Sequence, residues 1–484
     1  MIDEVCLSPA VDLAAKVRSG AVSARALVEA HLAQIARVNP TVNAVVVPRF
    51  EAALREADAA DAAVARGDAL GPLHGVPCTI KECFAFEAMP QTAGLVARRG
   101  YRATGDATAV ARLRKAGAIA LGLTNTSELC MWVESANHVY GRTTGAYDPA
   151  RIAGGSSGGE GAAVGAAMSP FGLGSDVGGS IRLPAFFNGV FGHKPSGCMV
   201  PSTGQFPAPV GAASRMLATG PLCRSARDLY PLLSLLAGPD GHDPACRPMP
   251  LHDPGTVDLR ALTVLDLDPE TSFGVRVDTA LRDAQHRAVA SLGARGARVT
   301  SLRLTALRDA FEIWSACMHD GNAEAFGALL GAGETVTPAR ALGRLPAALL
   351  GRPPYTLAAL GLCVVEALPG LLPRRQAAMR AALRSLRETL ARLLEGPTVL
   401  VMPTFPQIAP RHHAPLLSIP SIGFTGFVNA LELPATSVPM GLDPRGLPTG
   451  LQLVAAQGAD HLTLAVALAL EEAHGGWVAP ARWC

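Results

Sequence analysis

At 484 residues the chain is long enough for one large core or two ordinary domains. Hydrophobic residues make up 49% and aromatics 5%, so the apolar mass is Ala, Leu and Val, which suits dense globular packing and excludes a disordered chain. With 42 basic and 40 acidic residues the net charge is +2, and no basic run interleaved with aromatics marks a nucleic-acid surface.

The N-terminus, MIDEVCLSPAVDL, is acidic and lacks an apolar h-region, which argues against a secretory signal and for a cytoplasmic protein. Ten cysteines scattered from Cys6 to Cys484, with no CxxC pair, read as reduced thiols. Residues 1–65 read as helices: in SARALVEAHLAQIARVN, Ser23 is the N-cap, Leu27, Ala30 and Leu32 are apolar positions, and Pro40 ends the helix. GVPCTIKE is a short strand ending at Lys81. ATAVARLRKAGAIALGLTN reads as helix, Gly turn and buried strand, an α/β unit.

From Gly154 to Gly197, glycine-rich loops surround a short helix, Glu160–Met168, and a strand near Phe171–Ser175. Further on, SARDLYPLLSLLAG is helical, LTVLDL is a strand, and helical stretches run around 304–332 and from Pro373 to Leu394. TVLVMPT, LPATSVPM and GLQLVAA read as strands, and DHLTLAVALALEEAHGG as a closing helix. The apolar run Pro353–Arg375 is interrupted by Glu366 and Pro369, so it is a poor spanning helix. It reads as a buried or substrate-facing amphipathic segment; a surface-seeking cap over a substrate entrance is the alternative. No repeat and no low-complexity linker divides the chain, which predicts one large α/β domain over residues 1–484.

The candidate chemistry begins with lysine. Lys16, Lys81, Lys115 and Lys194 are the only lysines, so a lysine at the end of a buried-looking strand is conspicuous. Arginine cannot give up its proton at useful pH, whereas a desolvated lysine can act as a neutral base. Lys81 is therefore a candidate general base; the plain alternative is a side chain snorkelling from a strand end. Gly154–Gly158 satisfies G-x-S-x-G, the nucleophile elbow, but its lead-in TTGAYDPARIA contains Pro149 and is no central strand. No Gly-Lys-Ser/Thr follows, so a phosphate loop is unsupported. In Val177-Gly178-Gly179-Ser180, two glycines would let backbone N–H groups turn toward a developing oxyanion, with a serine placed to attack; the plain alternative is a Gly-Gly turn. Without H-x-H or H-E-x-x-H, a zinc site is unsupported even with His412-His413 adjacent. Glu82 and Glu160 read as structural carboxylates.

Taken together, Lys81, the Gly-Gly-Ser-Ser-Gly-Gly block and Asp-x-Gly-Gly-Ser-Ile-Arg resemble the amidase signature family throughout Gly71–Pro195. ATGPLCRSARDL, VMPTFP and GLPTGLQLVA continue the likeness. KECFAFEAMPQTAGL, TNTSELCMWVESAN and RLPAFFNGVFGHKPS most resemble fatty acid amide hydrolases of the second vertebrate type and amidases like them. The spacings of 75 residues from Lys81 to Ser156 and 24 from Ser156 to Ser180 are similar to that subgroup.

The resemblance implies a single domain with a central mixed, twisted sheet covered on both faces by helices. It implies N-terminal helices over 1–65, catalytic motifs over 66–230 and a variable helical substrate-entrance region over 300–395. It also implies a Ser–Ser–Lys triad: Ser180 as nucleophile, Ser156 on a cis peptide as the bridge, and neutral Lys81 starting the proton relay. Val177, Gly178, Gly179 and Ser180 would supply the oxyanion hole, and Ser157, Asp176 and Arg182 its polar support. His193, in FGHKPS, looks structural. Cys130, Met131, Trp132 and Val133 match a pocket-lining stretch.

No cofactor or metal is implied. The expected partner is a small hydrophobic amide, carbamate or ester, with neither nucleic acid nor the membrane anchor of the animal enzymes; a homodimer is compatible with it. Another class stays open: a transamidation subunit that works with a partner and a charged tRNA.

Overall fold

The computed structural model describes residues 3–321, 326–331, 333–350 and 354–483. Its frame is an eleven-stranded mixed sheet. In chain order the strands are β1 (Val45–Pro48), β2 (Pro77–Lys81), β3 (Ile119–Thr124), β4 (Phe171–Asp176), β5 (Phe191–Lys194) and β6 (Ala218–Cys223). They continue with β7 (Thr263–Leu267), β8 (Arg298–Leu302), β9 (Thr398–Met402), β10 (Ala435–Leu442) and β11 (Pro448–Val454). Their spatial order is β1-β3-β2-β4-β6-β5-β10-β11-β9-β7-β8. The pairs β2–β3 and β2–β4 are parallel, so β2 is central among strands running its own way, while β4–β6 and β10–β11 are antiparallel. β2, β3 and β4 are buried throughout and read as apolar runs with little alternation, as strands covered on both faces do.

Helices flank this sheet. One apolar core gathers Leu13, Leu27, Val28, Ile35 and Ala53 of the N-terminal helices with Ile80, Leu121 and Leu123 of the sheet. A second joins Leu183, Phe186 and Phe187 to Phe273, Phe405, Phe424 and Phe427. The Phe273 and Phe424 rings stack at 4.0 Å. A smaller cluster gathers Leu129, Phe326, Leu330, Ala359, Leu360 and Cys363.

Several expectations hold closely. The helix Thr108–Lys115 leads into β3, and helices Pro373–Leu393 and Asp460–His474 lie where periodicity puts them. Others need correction. The N-terminal region is not purely helical, because the β-branched run at Val45–Val47 pairs antiparallel with β3 as the sheet's edge strand. Pro40 does not end its helix, which runs Ala24–Val42. Proline removes one N–H from a last turn whose geometry is set elsewhere: Asn39 accepts from Ala44 and Val45, and Asn43 adopts the left-handed conformation at φ 52°. The buried stripe of that helix is Leu27, Val28, His31, Ile35 and Val38, with Ala30 and Leu32 only half-buried at its margin. The short glycine-rich helix runs Gly158–Gly165, starting and ending earlier than expected. In the stretch around 304–332 the structure shows helix at Ala310–Gly321 and Phe326–Gly331, and residues 322–325 and 332 lie outside the described residues. Within Pro353–Arg375 a helix covers Leu357–Leu371; Pro353 and the side chains of Glu366 and Pro369 lie outside the described residues. Among the described residues no helix is long and apolar enough to cross a membrane.

Candidate active site

Strand β2 ends at Lys81, which has no exposed surface. Its Nζ donates to Ser156 Oγ at 2.7 Å and to Ser175 Oγ at 3.1 Å. Ser175 comes from the parallel neighbour β4, and Ser156 from the glycine-rich loop, where the Gly155–Ser156 peptide is cis. Gly155 admits no side chain, because a Cβ there would lie 2.3 Å from the Trp132 carbonyl oxygen. That close approach brings the Cys130–Val133 segment against the serine loop. Ser135 fixes the loop further: its Oγ donates to the Ser156 carbonyl at 2.9 Å and accepts from Gly158 N at 2.9 Å. Ser157 lies behind, with its N–H donating to the Ser180 carbonyl and its Oγ to the Ser175 carbonyl.

Beyond β4 the chain makes the loop Val177–Ser180. Asp176 shapes it by accepting from Gly179 N at 2.7 Å and from Ile181 N at 3.0 Å. Gly179 sits at φ +123°, a left-handed conformation that glycine adopts without strain. The N–H groups of Val177, Gly178 and Ser180 make no turn or cap hydrogen bond among the described residues. Gly179 N–H, by contrast, is occupied by Asp176. Arg182 and Asp176 form a buried pair through Nε–Oδ2 at 3.1 Å and Nη2–Oδ1 at 3.0 Å. Burial alone would raise the Asp176 carboxyl, but the Arg182 charge and hydrogen bonds, with Lys194 and the Ile181 N–H, hold it well below the usual range.

Ser180 is half-buried at the junction of two apolar cavities. The first, about 140 Å³, is walled by Cys130, Met131, Trp132 and Val133, by Phe311, Trp314 and Met318, and by Ala358, Gly361, Leu362 and Val365 of the helix Leu357–Leu371. The second, about 480 Å³, reaches Ser156 and Ser175 and is bounded by Phe206, Pro207, Val210, Leu217 and Leu329. Ser156 and Ser180 both line this space, with no side-chain hydrogen bond joining them among the described residues. Cys130 touches both cavities. The neighbouring Cys83 thiol draws the Cys130 thiol below the ordinary thiol value, against the opposing effect of burial and with help from Thr126 and Ser156. Burial pushes the Cys83 thiol well up.

The structure thus brings together every site residue expected from sequence: Lys81, Ser156, Ser157, Asp176, the Val177–Ser180 loop, Arg182 and the Cys130–Val133 wall. His193 stands apart from both cavities, with Nδ1 2.9 Å from Thr436 Oγ1 and Nε2 3.2 Å from Asp460 Oδ1. Four contributors were missed. Ser175 is legible only once β2 and β4 are known to be neighbours. Trp314, Thr425 and Asn429 approach the Val177–Ser180 loop from more than 130 residues away, with no local motif to announce them. Among the described residues no group of three or more His, Cys, Asp or Glu side chains is arranged to hold a metal ion.

Comparison with known proteins adds to this geometry. The family model described as Amidase matches residues 26–464. The chain is 41% identical over 497 residues to fatty-acid amide hydrolase 2 of Homo sapiens, covering 99% of this chain and 92% of that one. It is 33% identical to a glutamyl-tRNA(Gln) amidotransferase subunit of Acidothermus cellulolyticus, covering 96% of this chain and 94% of that one. Among solved structures, 6-aminohexanoate cyclic dimer hydrolase in complex with its substrate superposes with a TM-score of 0.82 at 29% identity, covering 100% of both chains.

Proposed function

The chain belongs to the amidase family and is an amide hydrolase, and from that premise we propose that it cleaves hydrophobic acyl or aryl amides through an acyl-enzyme on Ser180. The observation that carries the reading is the buried Lys81–Ser156 hydrogen bond of 2.7 Å, which opens onto the cavity holding Ser180.

In this mechanism Ser180 Oγ attacks the carbonyl carbon, and its proton passes to Ser156 Oγ as Ser156 passes its own to neutral Lys81 Nζ. A Ser156–Ser180 hydrogen bond forms when substrate is bound. The carbonyl π electrons move onto oxygen, and the free N–H groups of Val177, Gly178 and Ser180 receive that charge. Collapse breaks the C–N bond, and the relay, run backward through Ser156, protonates the departing amine. Water then attacks the acyl-enzyme by the same route and releases the acid. Ser157, Asp176 and Arg182 hold the loops and take no part in bond making.

Apolar walls on both sides of Ser180 support substrates with hydrophobic groups flanking the scissile bond, since a small polar amide would leave these surfaces unfilled. Carbamates and esters present a comparable carbonyl to the same nucleophile. The likeness to a component of a tRNA-dependent amidotransferase raises a second reading, which the apolar cavities disfavour.

The test is labelling with a fluorophosphonate followed by peptide mapping, alongside turnover of p-nitroanilides of graded acyl length, an aryl carbamate and glutamine. Modification of Ser180 and loss of turnover in Ser180→Ala are expected. Modification of Ser156 instead, or glutaminase activity that requires a partner protein, overturns the proposal.

A further inference from the structure

Three consecutive carbonyls leading into and through the Val177–Ser180 loop are each held by a side chain from the C-terminal half. Asn429 Nδ2 donates to the Asp176 carbonyl at 2.9 Å, Trp314 Nε1 to the Val177 carbonyl at 2.8 Å, and Thr425 Oγ1 to the Gly178 carbonyl at 2.6 Å. In a trans peptide the C=O and the following N–H point in opposite directions. Holding the Val177 oxygen on one side therefore aims the Gly178 N–H to the other, and holding the Asp176 oxygen does the same for Val177 N–H.

Trp314 differs from the other two. Thr425 and Asn429 are fully buried on one helix, Gly423–Ala430, and neither lines a cavity with Ser180. Trp314 belongs to a different helix, Ala310–Gly321, is only part-buried, and walls the cavity beside Ser180. Its indole occupies a slot bounded by two glycines: a Cβ on Gly178 would lie 2.8 Å from Cζ2, and one on Gly426 would lie 2.8 Å from Cγ. The slot fixes the ring plane, and the same side chain lines the cavity.

We propose that Trp314 is a positioning residue that links occupancy of the acyl cavity to the orientation of the Gly178 N–H. This rests on the reading that Ser180 is the nucleophile and that the loop amides receive the oxyanion. An acyl group lying against the indole keeps it seated in the slot, so the Val177–Gly178 peptide stays aimed as the tetrahedral intermediate forms. Part of the acyl-binding energy is then expressed in the transition state and appears in kcat.

The test compares wild type with Trp314→Phe, which keeps an apolar ring and loses the N–H donor. The expected result is a fall in kcat of roughly 10- to 100-fold with KM changed by less than about twofold. Affinity for a trifluoromethyl ketone of matched acyl chain should fall in the same proportion, while affinity for the carboxylic acid product stays put. A rise in KM with kcat and ketone affinity unchanged would reduce Trp314 to cavity wall and overturn the proposal. Should the variant not fold, the unaltered protein supplies a second measurement: lengthening the acyl chain until it reaches the indole should raise kcat, and a series in which only KM changes overturns the proposal equally. Fluorophosphonate mapping of Ser180 is run beside both, so that failure of the underlying mechanism is told apart from failure of the Trp314 assignment.

Discussion

Glu160 occupies the space that any side chain on Gly172 would need: a Cβ there would stand 1.7 Å from Glu160 Oε2. The carboxylate accepts from Thr79 Oγ1 of β2 and Thr124 Oγ1 of β3, both at 2.6 Å, while Gly172 of β4 leaves it room. One buried side chain from the helix Gly158–Gly165 thereby ties that helix to three adjacent strands beneath Lys81. Gly172→Ala should displace the carboxylate and leave two threonine hydroxyls without their acceptor. With each unsatisfied buried group costing about 1–3 kcal/mol, we expect a loss of at least roughly 2 kcal/mol in urea unfolding. A variant within about 1 kcal/mol of wild type would mean that β4 shifts freely and that the fit is not confining.

The same carboxylate gives a pH prediction. Burial pushes Glu160 up to about 7, against the hydrogen bonds of Thr124 and Thr79. Burial likewise raises Glu82 and Glu128 to about 7. These pKa values are raised above the ordinary 4.5, so between the two values the folded state holds protons that the unfolded state has lost. Stability therefore falls as pH rises from about 4.5 to 7, and the penalty is complete above that window; for Glu160 alone it amounts to roughly 3 kcal/mol. Glu160→Gln carries no such charge, so its melting temperature should change less than that of wild type between about pH 5 and pH 8. Identical slopes in the two proteins would remove Glu160 as a contributor.

How much of this was legible in the sequence depended on whether the signal was local. Lys81, Ser156 and Ser180 each lie in a motif that carries its own reason: a lysine at the end of a buried strand, and serines set among glycines that permit close approach. The assembled site repeats that grouping. Pro40 misled because a proline near the exposed end of a helix forfeits a single hydrogen bond, and Asn39 with Asn43 sets the terminus instead. The strand Val45–Pro48 was overlooked because four residues show no period, and its β-branched side chains gain meaning only opposite β3. Trp314 and Asn429 were invisible for a deeper reason. Each acts on a backbone oxygen, and backbone acceptors leave no trace in a sequence pattern.

Cys130 supplies a prediction about reactivity. Its thiol sits on the walls of both cavities with 8% of its surface exposed, and the neighbouring Cys83 thiol lowers it from the ordinary value. A thiol at the ordinary value of roughly 8.5 is mostly protonated at neutral pH, and lowering it raises the share of thiolate, the form that attacks soft electrophiles. Burial pushes Cys6, Cys78, Cys223 and Cys246 the other way, which keeps them protonated and slow. An apolar maleimide small enough for the cavities should therefore add its alkene carbon to Cys130 Sγ first, and the thioether should block turnover by filling the space beside Ser180. The alkylation rate should rise with pH to a midpoint below that of an ordinary thiol, and a bound competitive inhibitor should slow it. Peptide mapping after brief treatment checks the site, and the rate profile checks the cause. First labelling at another cysteine, or a midpoint close to that of a free thiol, would mean that Cys83 does not lower the Cys130 thiol.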